Sequence, residues 1–219
     1  MLKTAFTRLK VTQKGITGIE TAIILIAFVV VASVFAYVAL SSGLFASQKS
    51  QEAIYKGVQD AQGSVVLKGG VVSIAENPGA NGFISQITFT LGCAMRGNPI
   101  DFTPPDPSPL NNGLCAPGSQ NRVVISYYDG RQKFDNLYWT VTPIGYSSDD
   151  NLLDSGELFQ IKIGSPVVGT NGGNLANLLA ANPLGANTTF NIQVTTASGS
   201  TLVLQRTTPG FIDPVINFK

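Results

Sequence analysis

From Thr21 to Ser47 the chain carries no charged residue, and between Ala22 and Leu40 the only polar side chains are Ser33 and the hydroxyl of Tyr37. Those 19 residues, as a helix rising about 1.5 Å per residue, measure roughly 28 Å, close to the ~30 Å hydrocarbon thickness of a bilayer. The segment is therefore able to span a membrane. Lys3, Arg8, Lys10 and Lys14 precede it with no acid before Glu20, a one-sided charge distribution that holds the first residues in the cytoplasm and sends the remainder outward. A cleavable secretory signal has a shorter apolar region of about 7 to 15 residues and a small-x-small cleavage site. Here the run is longer and continues into polar helix, so the apolar segment is expected to be kept.

A basic leader that ends in Gly15, a cut before the apolar Ile16, and a glutamate at the fifth position after that cut, Glu20, form the pattern of class III signals. The run from Ile16-Thr17-Gly18-Ile19-Glu20 through the apolar segment to Gln51-Glu52 resembles the N-terminus of archaellins, the subunits of the archaeal swimming filament, which share this design with type IV pilins. The resemblance implies cleavage of Gly15-Ile16 by a prepilin-like signal peptidase. It also implies a precursor held in the cytoplasmic membrane, and then a homopolymer, with other archaellins as further partners, built by the archaellum assembly and motor machinery. Removing residues 1–15 deletes four positive charges and exposes an ammonium on Ile16. Glu20 lies one helical turn away, placed to neutralise that ammonium on its own chain or on the chain below; the alternative is that Glu20 only reaches the lipid headgroups. Ile16, Glu20, Phe28 and Phe35 are the expected assembly residues.

Helical character is expected to persist from Ser47 to Gln62, with Ser50, Ile54, Gly57 or Val58, and Ala61 on one stripe between polar faces. Counted from Ile16 the helix has 47 residues and a length of roughly 70 Å. Gly43 at its middle costs up to about 1 kcal/mol relative to alanine and is a place for a bend; Gly63-Ser64 supplies the stop. Such a helix is a poor monomer, because its apolar half needs lipid or sister helices.

From Ser64 the period changes to twofold over the last 156 residues, about one domain. Val65 to Ile74, broken by Gly69-Gly70, reads as a strand pair or a bulged strand. Phe83 to Leu91, Arg122 to Tyr128 before the turn signal Asp129-Gly130, Leu137 to Ile144 with the only tryptophan, Phe159 to Ile163, Phe190 to Val194 and Thr201 to Thr207 alternate in the same way. Leu175 to Ala181 reads as a short helix or a loop. The expected fold class is α+β: a leader (1–15), a long N-terminal hydrophobic α-helix (16–62), and an immunoglobulin-like β-sandwich head (63–219).

Composition excludes several functions. Without its leader the chain keeps 10 basic and 13 acidic residues, a net charge near −3, so no basic face is left for nucleic acid. There is no histidine, which removes His-based acid/base catalysis, His-activated nucleophiles and the commonest zinc ligand. No enzymatic activity and no cofactor are expected. Cys93 and Cys115 bracket a proline-rich segment, six of the twelve prolines lying from Pro99 to Pro117, expected at the surface; the pair is read either as a disulfide closing that loop or as two free thiols. Asp149, Asp150, Asp154 and Glu157 offer hard oxygen ligands for a structural Ca or Mg, or form a solvated turn. Asn187-Thr188-Thr189 is the only N-x-S/T triplet, a glycan acceptor in a secreted chain. The expected protein is an extracellular filament subunit of the archaeal flagellum; an adhesion pilin, and an anchored binding protein that keeps its leader and never polymerises, are the alternatives.

Overall fold

A helix apolar on every side and a set of short alternating strands separate in space as they do in sequence. The computed structural model describes residues 18–148, 150–164 and 175–218. Gly15 and Ile16 lie outside these, as does Asp149. The elements in chain order are α1 (Gly18–Gln62), β1 (Val65–Leu67), β2 (Val71–Asn77), β3 (Phe83–Cys93), β4 (Ile100–Asp101), β5 (Val124–Asp129), β6 (Lys133–Phe134), β7 (Trp139–Ile144), β8 (Leu152–Leu153), β9 (Leu158–Gly164), α2 (Leu175–Leu178), β10 (Thr189–Thr195), β11 (Thr201–Thr207) and β12 (Val215–Phe218). The helix is continuous through Gly43, so no frayed turn interrupts it there. It ends where Gly63-Ser64 was expected to end it, with Gly63 N donating to Gln59 O at 3.1 Å and Ser64 Oγ donating to Asp60 O at 3.1 Å. Contacts divide the chain into two compact units inside α1, between Ile54 and Tyr55, so the last turns of the helix group with the strands.

The second unit holds the sandwich. One antiparallel sheet has the order β12-β2-β3-β9-β7, with β1 also on β3; the other has the order β11-β10-β5-β6. Alternation puts every second side chain inward, and the inward sets of both sheets form a single buried core that includes Ile87, Phe89, Ile161 and Trp139 from one and Ile125, Tyr127, Phe190 and Ile192 from the other. Phe190 meets Phe218 edge-on at 5.5 Å between ring centres and stacks on Tyr127 at 6.2 Å, joining the C-terminal strand to the opposite sheet.

Three departures from the sequence reading have local causes. The segments around Gly69-Gly70 do not pair with each other. They follow one another along one side of β3, β1 opposite Leu91 to Cys93 and β2 opposite Phe83 to Thr88, with Gly69 at φ +97° turning the chain between them. Leu137 to Ile144 does not continue the hairpin after β5: the two-residue β6 closes that hairpin, and β7 crosses to pair with β9. The proline-rich segment is not a surface loop. Its Phe102 is fully buried, edge-on to Trp139 and Phe159 at 6.0 Å each, and β4 pairs with β8 beside it.

The β5–β6 turn is held by one carboxylate. Asp129 Oδ1 accepts the Arg131 and Gln132 amides at 2.7 and 3.0 Å, and Oδ2 accepts the Tyr127 hydroxyl at 2.8 Å and Gln132 Nε2 at 3.3 Å. Burial alone would raise this carboxyl, but the four donated bonds outweigh it and hold the group below its ordinary value. A depressed carboxylate contributes stability that is complete above the unfolded aspartate range near pH 4 and is lost as pH falls through the lower folded value. Thermal melts of the purified chain should therefore show a falling midpoint below about pH 4. Asp129→Ala should cost about 2 kcal/mol at pH 7 and make the acid loss shallower; an unchanged pH profile would contradict the assignment.

Candidate assembly surface

The expected assembly residues lie on α1, and none of the helix's residues is buried. Phe28 is 72% exposed and Phe35, two turns on, 71%. Large apolar side chains stand on all sides: Val29, Val30, Val31 and Val34 are each more than half exposed, and successive residues step about 100° around the axis. A helix of this kind has no wet face, so it is stable only where lipid or protein covers it all round. By length and composition it is able to cross a membrane. Its one interior hydroxyl above Tyr37 needs no water, because Ser33 Oγ donates to Val30 O at 2.8 Å. Glu20 stands in the first turn, where the helix's exposed amides favour an anion. The next charges are Lys49 and Glu52, paired at 2.8 Å, with the Lys49 ammonium 6.0 Å from the Phe45 ring centre; polar character returns here, well below the apolar run.

Where α1 ends, its last carbonyls are caught by the β10–β11 turn. Gly63 O accepts Thr196 Oγ1 at 3.0 Å and Ser198 Oγ at 3.2 Å, and Ser200 Oγ donates to Ser64 Oγ at 2.9 Å. A Cβ at position 63 would run into the Ser198 side chain, so glycine is required there for close approach and not only as a helix stop. No local pattern of residues marks this contact, since the partners are more than 130 positions apart.

The remaining candidates fare differently. The expected disulfide is not formed, and both cysteines are free. The thiols turn to different carbonyls, Cys93 Sγ donating to Leu153 O at 3.2 Å and Cys115 Sγ to Leu137 O at 3.0 Å, and the backbone bridges Pro107–Cys115 and Leu114–Leu137 hold the chain around the second thiol. Burial pushes Cys115 up to about 11, and burial with the nearby Asp154 and Glu157 carboxylates raises Cys93. The described acids serve as turn acceptors: Glu157 takes the amides of Ser148 and Asp154, and Asp150 takes Ser148 Oγ and the Leu152 amide. Among the described residues no three acidic or thiol side chains gather as a metal set; Asp149, the fourth member of the expected Ca or Mg grouping with Asp150, Asp154 and Glu157, lies outside them. Asn187 is exposed, at φ +52°, just before β10.

A long all-round apolar helix followed by a β-sandwich is the layout of a chain anchored or assembled through its helix. A family model for archaeal-type flagellin matches residues 15–206. The chain is 34% identical over 212 residues to Probable flagellin 1 of Archaeoglobus fulgidus, covering 93% of this chain and 94% of the relative. It is 26% identical over 209 residues to Probable flagellin 1 of Aeropyrum pernix, covering 90% and 93%. Among solved structures it is similar to the archaeal flagellum of Methanospirillum hungatei strain JF1, with a TM-score of 0.50 at 23% identity over 90% of this chain and 99% of that one. The chain belongs to the archaeal-type flagellin family.

Maleimide labelling checks the thiols. Unfolded without reductant, the native chain should take two adducts, and folded it should label slowly because a raised thiol pKa leaves little thiolate. A chain that takes no label until reduced would show a disulfide.

Proposed function

We propose that this chain is a structural subunit of the archaellum filament and polymerises through α1 for swimming motility. The observation that carries this is a helix apolar on every face with no residue buried within its own chain, in a member of the flagellin family. Several finer steps complete the reading. A prepilin-like peptidase cuts between Gly15 and Ile16 of a membrane precursor whose N-terminus lies in the cytoplasm. Until that cut, the cationic residues 1–15 tether the helix to the inner face of the bilayer. Afterwards α1 exchanges lipid for copies of itself, with other archaellins able to enter the same bundle, outside the cell, under the assembly and motor machinery. The Glu20 carboxylate then neutralises the new Ile16 ammonium, a buried charge that would otherwise be costly. Asn187 is the glycan acceptor of the head; its exposure, and its place in the Asn187-Thr188-Thr189 triplet ahead of a strand, support that reading.

Two substitutions test the steps separately. Gly15→Val should leave full-length precursor in the membrane and abolish filaments; finding Ile16 at the N-terminus of that variant by mass spectrometry would refute the cut-site chemistry. Glu20→Ala should be processed normally yet give few or unstable filaments, and an unchanged yield and melting temperature would remove Glu20 from the assembly contact.

A further inference from the structure

The triplet Asn187-Thr188-Thr189 is held along its whole length by the chain that follows β11. Thr189 opens β10 opposite Thr207, and the two hydroxyl oxygens share a hydrogen bond of 2.8 Å. The Thr188 amide donates to Thr208 Oγ1 at 2.8 Å, and its carbonyl accepts the Thr208 amide at 3.0 Å. The Asn187 backbone amide donates to Pro209 O at 3.1 Å. Thr208 is buried, and its hydroxyl donates in turn to Gly185 O at 2.6 Å, so one side chain clamps the backbone on both sides of Asn187. The side-chain amide of Asn187 lies over Gly210, where a Cβ would stand 3.5 Å from both Nδ2 and Oδ1. Asn187 is nonetheless exposed, and an open cleft of about 450 Å³ beside it is lined by small residues, Ala80, Gly82, Gly185 and Gly210 among them. The folded head therefore has room to carry a sugar on Asn187.

Receiving that sugar is a different matter. An N-x-S/T acceptor requires a hydroxyl two residues after the asparagine, so the transferring enzyme has to engage Thr189 Oγ1 as well as the Asn187 carboxamide and to contact the backbone between them. In the folded head the hydroxyl and that backbone are already bonded. Releasing them means parting β10 from β11, which are paired over seven residues, and the population open in this way is a small fraction of the molecules. The closing partners Thr207 and Thr208 lie 18 and 20 positions further along the chain. The triplet is thus synthesised before its clamp.

We infer that oligosaccharide is transferred to Asn187 only while β11 is not yet paired with β10, and that folding of the head closes the acceptor. The inference rests on the reading of Asn187 as the glycan acceptor. In the transfer the Asn187 carboxamide nitrogen bonds to the anomeric carbon of a phosphate-activated oligosaccharide. The bond from that carbon to the phosphate oxygen breaks, its electron pair leaves on the phosphate, and the nitrogen gives up one proton to a base of the transferase. No other group of the head enters this balance, so access to the triplet decides when the step occurs.

Transfer onto the full-length unglycosylated chain tests this, using cell membranes that supply transferase and donor and are active on an unrelated Asn-x-Thr peptide. The folded chain is compared with two open forms. One is the same chain added while it refolds from denaturant. The other is the variant Val203→Pro with Leu204→Pro: of two adjacent amides on a strand one faces its neighbour, so the pair removes a β10–β11 bond whichever it is. Mass spectrometry of the Asn187 peptide should find sugar on an open form at a level at least about tenfold above the folded chain, and either open form suffices to uphold the inference. A folded chain labelled as fully as both open forms, or more fully, overturns it. Sugar on none of the three shows that Asn187 is not an acceptor, and it is then the glycan reading that fails.

Discussion

Apolar surface that the chain cannot cover for itself governs this protein. From Ile19 to Phe45 sixteen large apolar or aromatic side chains are more than half exposed. Burying each contributes about 1.5 kcal/mol or more, on the order of 20 kcal/mol in all, above the ~5–15 kcal/mol that holds a whole domain together. No rearrangement of the head changes that balance, because the head already has its own core. The helix therefore needs an apolar surrounding, and the proteinaceous surrounding identical in kind is a bundle of the same helix. Membrane precursor and filament subunit are two solutions to one constraint, and the charges at either end of the run mark its limits: Glu20 at the start, Lys49 and Glu52 at the finish.

The head answers a different need. Two antiparallel sheets close around aromatic residues drawn from both, and the four-residue β12 is locked in by Phe218 on Phe190. The Gly63 contacts with Thr196 and Ser198 tie the end of α1 to the β10–β11 turn with hydroxyl donors and no charge.

Much of this was legible in the residues, for definite reasons. An apolar run of bilayer length and a Gly-Ser stop are local signals, and α1 ends at Gln62 as they require. Twofold alternation is local too, and it located most of the strands, including β3, β5, β9, β10 and β11. What escaped was non-local or short. The pairing of β1 and β2 along one side of β3, and the crossing of β7 to the other sheet, depend on partners dozens of positions away. β4, β6 and β8 have two residues each, too few to show a period, while Val215-Ile216-Asn217-Phe218 alternates over only four residues behind Pro214. Prolines suggested a surface loop, but Phe102 within it found a pocket against Trp139 and Phe159. Two cysteines in an extracellular chain suggested a disulfide, and only the fold reveals that each thiol faces a different carbonyl.

If α1 is what builds the filament, its whole circumference is covered there, and hydroxyl-radical footprinting of intact native filaments reads this coverage. Phe28 and Phe35 on one side of the helix, with Leu40 and Phe45 on two others, should remain unmodified while Tyr146 in the head, 90% exposed, is modified rapidly. Labelling of Phe28 or Phe35 at a rate comparable to Tyr146 would show a helix face open to water and contradict the account.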